Sequence, residues 1–136
     1  MKNISLAGGI IVDADNSILL LHRSTSTLVQ RETPWGKIED NETPESTAIR
    51  ELKEELNVDV NISRLIGQKE FSENGYCMNY FWFRVEVLSG TPVINEPEKF
   101  DDLKYFSINQ LVEYQEHLSP NTKNLLNCLR KNEIYL

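Results

Sequence analysis

The order of apolar and polar segments predicts an α/β fold in which a mixed β-sheet is covered by helices on both faces. Three observations carry this expectation. Two short apolar runs, 4–12 and 18–21, open the chain; a well-capped amphipathic segment follows at 43–56; and an aromatic, branched stretch at 77–88 precedes a second amphipathic segment at 120–130.

Residues 4–12 are rich in Leu and Ile around Gly8 and Gly9 and read as a mostly buried strand with close backbone contacts there. Asp, Asn and Ser at 13–17 suit a turn, so the strand at 18–21 is expected to pair with the first as a hairpin. The polar stretch 24–37, interrupted by Pro34, reads as a loop at the front edge of the domain. Thr43, Pro44 and Glu45 supply a cap, a first helical residue and a charge suited to the helix N-terminus. The helix then runs to about Leu56, docking through Ile49, Leu52 and Leu56, with Asn57 as a left-handed cap. Extended segments are expected at 58–62 and 65–71, a turn at Asn74-Gly75, and a long strand at 77–88. Beyond an acidic loop at 95–102, a short strand at Tyr105 and Phe106, a brief helix at 110–114 and a final helix at 120–130 complete the order.

A length of 136 residues fits one domain, 1–136, and is short for two. Hydrophobic residues at 40% and charged residues at 26% suit a folded, soluble chain. A net charge of -7 argues against a long nucleic acid as partner, because such binding draws on concentrated Lys and Arg contacts. A nucleotide held through a cation is compatible with it, since the ion bridges two acidic partners. Cys77 and Cys128 form no CxxC pair, which argues against a zinc cluster or a disulfide scaffold. No stretch approaches a membrane span and the N-terminus lacks a leader-like apolar run, so a cytoplasmic protein with no membrane partner is expected.

One helical turn is 3.6 residues, so Glu51 shares a side with Glu54 and Glu55, about 6 Å along the axis from first to last. Their oxygens suit Mg²⁺ or Mn²⁺, ions that also take phosphate oxygens. Taken alone, the three residues read equally as an ordinary solvated acidic face. The surrounding spacing is more specific: Gly36, five residues, Glu42, seven residues, then Arg50-Glu51-Leu52-Lys53-Glu54-Glu55-Leu56-Asn57-Val58. This resembles the signature of the Nudix hydrolases at every fixed position except Asn57, where the family has Gly.

The resemblance implies a three-layer α/β/α sandwich with a mixed β-sheet. It also implies Mg²⁺-dependent hydrolysis, with Mn²⁺ as a second option, of a phosphate anhydride in a nucleoside diphosphate linked to another group. Carried over by position, Glu51, Glu54 and Glu55 ligate metal, Glu42 holds loop and helix together beside Gly36, and Arg50 organises the site by salt bridges. The general base is Glu51 or a carboxylate of the later loop, Glu98 or Glu96, and Glu98 is counted with the metal ligands. Before Gly36 the family often has a second Gly whose carbonyl joins the metal shell. Here the residue is Trp35, whose carbonyl keeps that role if the backbone keeps its shape and whose ring can cover the ligand. The loop Glu96-Pro97-Glu98-Lys99 resembles that of nucleoside-triphosphate pyrophosphatases, which favours cleavage of a nucleoside triphosphate to monophosphate and pyrophosphate over ADP-ribose or a nucleotide sugar. A non-catalytic nucleotide-binding module is the competing reading, and the resemblance also allows a homodimer.

Arg23, Arg31 and Lys37 flank the motif and are candidates for phosphate contacts, Arg23 foremost because a strand fixes it. His22 lines the same mouth or is an ordinary polar surface residue. Along 80–83 the side chains alternate, Tyr80 with Trp82 and Phe81 with Phe83, so one pair is expected in the core and the other either packs as well or borders a flat base. Trp82, Phe71 and Tyr76 are the stacking candidates.

Overall fold

The computed structural model describes residues 2–136. Its elements follow in the order β1 (Lys2–Ile10), β2 (Ile18–Ser24), β3 (Val29–Glu32), β4 (Gly36–Lys37), α1 (Pro44–Leu56), β5 (Asp59–Glu73), β6 (Tyr76–Ser89), β7 (Phe100–Phe106), α2 (Ile108–Glu113) and α3 (Pro120–Arg130). A 3-10 turn, Gln115–His117, joins the last two helices. The strands form a four-stranded sheet, β4-β1-β6-β5, and a three-stranded sheet, β3-β2-β7. Strand β1 pairs in parallel with β6 and antiparallel with β4, so the larger sheet is mixed.

Alternation along β1 and β2 divides the apolar side chains between two cores. Leu6, Ile10, Ile18 and Leu20 join Tyr80 and Trp82 against Leu111, Leu125 and Leu126 of α2 and α3. Ala7, Ile11, Leu19 and Leu21 join Phe83 and Val85 against Ala48, Leu52 and Leu56 of α1. Helices thus cover both faces of the sheet layer, the α/β/α arrangement expected.

Helix α1 starts where expected. Thr43 Oγ1 accepts from the Ser46 N–H at 3.1 Å and Ser46 Oγ from the Thr43 N–H at 3.0 Å, a reciprocal cap with Pro44 at the first turn. It ends at Asn57, which takes the left-handed conformation, φ 56° and ψ 42°, and donates its N–H to the Lys53 carbonyl. The docking stripe is rotated from expectation: Ile49 is exposed, and Ala48 packs beside Leu52 and Leu56 instead. A side chain at Gly9 would run into Leu52, so α1 rests directly on β1.

Sheet pairing departs further from expectation. Strand β1 covers Lys2–Ile10, and it does not form a hairpin with β2; the two lie in different sheets and touch through a single bridge, Val12 to Ile18. The stretch 24–37 is not all loop, because β3 pairs with β2 and β4 with β1. Residues 58–62 and 65–71 merge into one long strand, β5, whose bulges absorb the break between them. The acidic loop closes earlier than expected, since Phe100–Phe106 is all strand. Asn74 and Gly75 both have positive φ, 50° and 81°, as a tight hairpin turn requires.

Candidate active site

Arg50 organises the loop and helix. Its Nε donates to Glu42 Oε2 at 2.8 Å, Nη2 to Glu42 Oε1 at 3.0 Å and to the Lys37 carbonyl at 3.2 Å, and Nη1 to Glu51 Oε1 at 2.8 Å. The Glu39 N–H and Thr47 hydroxyl also donate to Glu42 Oε1, each at 3.0 Å. These bonds, Arg50 first, hold the Glu42 carboxyl down to about 2 and in turn keep the Arg50 guanidinium protonated. Lys37 contributes its backbone to this knot, while its side chain is exposed.

Gly36 makes room for Glu51, because a side chain there would occupy the space of the Glu51 carboxylate. Burial raises the Glu51 carboxyl above its usual range; Arg50 opposes this and the charges of Glu54 and Glu96 add to it. Glu55 is 4% exposed. Burial raises its carboxyl furthest, with repulsion from Glu51, Glu32 and Glu96 behind it. Its Oε2 is buried with no hydrogen-bond partner. This helix face is therefore not an ordinary solvated one. A buried carboxylate oxygen lacking a donor, with other carboxylates around it, fits a hard divalent cation. Among the described residues, no group of three His, Cys, Asp or Glu side chains already stands together as a closed metal shell. Glu54 is more exposed and lies 3.3 Å from Arg50 Nη1.

The later loop is tied to the end of α1. The Asn95 side-chain amide donates to the Glu54 carbonyl at 2.9 Å and the Asn95 N–H to the Glu55 carbonyl at 3.0 Å. This brings Glu96, which is half-buried and pairs with Lys99 at 3.2 Å, into the field of Glu51 and Glu55. Glu98 is exposed.

Arg23 is paired within the chain. Its Nε and Nη2 both reach Glu32 Oε1, at 2.9 and 2.7 Å, and its guanidinium stacks over Phe100. Glu32 is fully buried and also accepts from Gln30 Nε2 at 2.6 Å. Arg31 pairs with Asp102 and His22 with Asp101, each at 2.6 Å. His22 and Arg31 face each other across β2 and β3, in the register that alternates with that of Arg23, so Arg31 and Arg23 point to opposite faces of the sheet.

On the α3 side, a cleft of about 340 Å³ is lined by Trp35 and Phe71, with Leu6, Met78, Tyr80 and Asn121. Tyr76 is exposed and does not line it. Trp82, a stacking candidate by sequence, does not line it either: it is fully buried, and its indole N–H donates to Asn121 Oδ1 at 2.9 Å. Burial, and after it the charges of Glu55 and Glu32, raise the Tyr80 hydroxyl well above its usual range. Glu32, Gln30 and Asn121 escaped the sequence reading. Each is a single polar residue with no motif around it, and only long-range pairing brings it to the site.

The α/β/α sandwich with the capped carboxylate helix packed on one face is the arrangement that the Nudix resemblance implies. The chain belongs to the NUDIX domain family, whose model matches residues 3–127. It is a pyrophosphohydrolase of that family, acting on a nucleotide. It is 33% identical over 84 residues to an 8-oxo-dGTP diphosphatase of Proteus vulgaris, covering 59% of this chain and 75% of that one. To the 8-oxo-dGTP diphosphatase of Escherichia coli (strain K12) it is 34% identical over 95 residues, 68% of this chain and 73% of that one. Among solved structures, the MutT NUDIX hydrolase from Burkholderia pseudomallei superposes with a TM-score of 0.81 at 25% identity, covering 93% of this chain and 98% of that one. The E. coli ORF135 protein does so at 0.80 and 25%, covering 96% and 91%. Among the described residues no helix is long and apolar enough to cross a membrane.

Proposed function

We propose that the protein cleaves a nucleoside triphosphate to monophosphate and pyrophosphate, with the base between Trp35 and Phe71 and the phosphates over the N-terminal side of the Glu51–Glu55 cluster. One observation carries this reading: the unpartnered, buried Glu55 Oε2 next to Glu51 and Glu96 and beside an aromatic cleft of single-base size. The two relatives named 8-oxo-dGTP diphosphatase support a triphosphate over a nucleotide sugar and put oxidised purine nucleotides first among substrates to try.

In this reading Glu51, Glu54, Glu55, the Trp35 carbonyl and a loop carboxylate hold Mg²⁺ or Mn²⁺. Bound there, the ion supplies phosphate charge neutralisation and a more acidic water. The chain's own contribution is placement. Arg50 grips one oxygen of Glu51 and fixes its direction, and Asn95 moors the loop that carries Glu96. Glu96 is the better-placed loop carboxylate for taking the proton of the attacking water, with Glu51 the alternative and exposed Glu98 the more remote. Arg23, held by Glu32, offers its remaining N–H groups and charge to the phosphates. All these groups come from one copy and one domain.

The test is a product-resolved screen of ordinary and oxidised nucleoside triphosphates with Mg²⁺. Monophosphate and pyrophosphate are the expected products. Glu54→Gln and Glu55→Gln are each expected to lower kcat at least ~100-fold, as loss of a metal-holding or charge-stabilising group does. Full turnover in both variants at saturating Mg²⁺ would remove the ligand assignment, and release of inorganic phosphate alone would remove the proposed bond.

A further inference from the structure

Two basic residues that the active site leaves aside, His22 and Arg31, meet elsewhere. A groove of about 260 Å³ opens between β2, β3 and the turn joining α2 to α3, lined by His22, Val29, Gln30, Arg31, Tyr114 and His117. It holds both histidines of the chain, and no carboxylate lines it in a protein of net charge -7. His22 and Arg31 lie on the sheet face opposite Arg23, and of the lining residues only Gln30 also lines the aromatic cleft.

The hydrogen-bonding capacity of these groups is only partly spent. Asp102 accepts from Arg31 Nη2 at 2.6 Å, whereas Arg31 Nη1 is buried without a hydrogen-bond partner. A buried guanidinium nitrogen left bare is costly, and an anion removes that cost. Asp101 lies 2.6 Å from His22 Nδ1, and this bond, before any other cause, holds the Asp101 carboxyl below its usual range. An ionised carboxylate only accepts, so Nδ1 carries the proton and Nε2 is the nitrogen left over. The His117 ring stands edge-on to Tyr114 at 5.8 Å, and among the described residues its nitrogens have no partner. The two aspartates are thus engaged by His22 and Arg31. Lys104 adds a further positive charge: its Nζ lies 5.4 Å from the centre of the Phe106 ring, over which Arg31 stacks at 5.3 Å, and no acidic residue among those described pairs with it.

We propose that this groove is a second anion site, which takes a phosphate group, free or at the end of a larger molecule, on Arg31, His22 and His117. Its volume suits a small oxyanion and is below that of a nucleotide-sized pocket. Three nitrogen-bearing side chains can serve separate oxygens of one tetrahedral anion, which a spherical ion such as chloride does not offer. The inference stands apart from the reaction proposed above, because no residue given a part in that reaction lines the groove.

Proton NMR reads the groove directly, since the chain has no histidines besides these two. The full chain is titrated with inorganic phosphate at constant pH and ionic strength, with a chelator present so that no metal bridges phosphate to the carboxylate helix. Both imidazole signals are expected to shift together and to saturate in the millimolar range or tighter, while chloride leaves them in place. Arg31→Gln is expected to weaken binding at least ~10-fold, the loss of one charge-assisted hydrogen bond. Asp102 loses its partner in that variant, so a second one guards against misfolding. His117→Phe keeps a ring against Tyr114, removes the nitrogens and is expected to weaken binding at least ~3-fold, read on the remaining His22 signal. Glycerol phosphate separates the two sources of the group. Binding at least as tight as that of inorganic phosphate assigns the groove to the phosphate end of a larger molecule, and weaker binding assigns it to the free ion. Shifts that do not saturate, equal shifts with chloride, or an unchanged affinity in either folded variant would overturn the inference.

Discussion

At Glu55 a carboxylate is held where neither water nor a hydrogen-bond donor reaches one of its oxygens. Such a group destabilises the metal-free fold when ionised, so Glu55→Gln is expected to raise the melting temperature at neutral pH. The gain should be about 1 kcal/mol, because the Gln amide stays buried and only the cost of the charge is removed. Mg²⁺ should raise the melting temperature of the wild type and barely move that of the variant; thermal scans with and without Mg²⁺ read both effects, and a lowered melting temperature in the metal-free variant would contradict the account. Gly36→Ala acts on the neighbouring carboxylate, because its Cβ would displace Glu51. Its kcat is expected to fall at least ~10-fold, as a displacement of about 1 Å at a catalytic group does. That Arg50, Glu51 and Glu54 lie within reach of one another was legible from spacing because helical geometry is local. Arg23, Glu32 and Trp82 were not: whether an arginine is free or paired, and whether a tryptophan is core or wall, depends on strands and helices distant in sequence.

At the scale of elements, α1 is the best-specified piece of the molecule. Thr43→Ala removes one half of the reciprocal cap and is expected to destabilise by ~1 kcal/mol, read by denaturant unfolding. Asn57 stands where the family signature has Gly, and its left-handed backbone explains why the exchange is tolerated. Asn57→Gly is expected to leave kcat unchanged and stability within ~1 kcal/mol of the wild type in the same measurement. The ends of α1 and α3 were readable because caps, prolines and apolar spacing announce them within a few residues. The partners of β1 and β2 were not, since alternation tells which face of a strand is buried and nothing about which strand lies beside it. The expected hairpin failed for that reason: an apolar strand, a polar turn and another apolar strand also describe two neighbouring strands that leave for different sheets.

For the whole molecule, opposed carboxylate shifts set the response to pH. Glu42, held near 2, binds fewer protons folded than unfolded below its ordinary range, so its stabilising contribution is lost as pH falls from ~4.5 toward 2. Glu51 and Glu55 are shifted upward and bind more protons when folded. Their effect has the other sign, and stability is lost as pH rises from ~4.5 through their raised values. The metal-free protein is therefore expected to be most stable in mild acid, and saturating Mg²⁺ should move that maximum toward neutrality; melting temperatures across pH with and without the ion test it. A maximum that Mg²⁺ does not move would mean that these carboxylates do not bind it.

The parallel pairing of β1 with β6 also has a kinetic consequence. Lys2 lies opposite Tyr76 and Ile10 opposite Arg84, so this pairing joins residues more than half of the chain apart. Long-range strand pairing of this kind places refolding in the slower range, milliseconds to seconds, of small single domains. Until it forms, the β6 edge of β1 is unfilled, and the strand's apolar residues Leu6, Ala7 and Ile10 lack the cover that β6 gives them. The aromatic cleft, whose wall and floor draw on β1, β6 and the start of α3, is complete only once that pairing has formed.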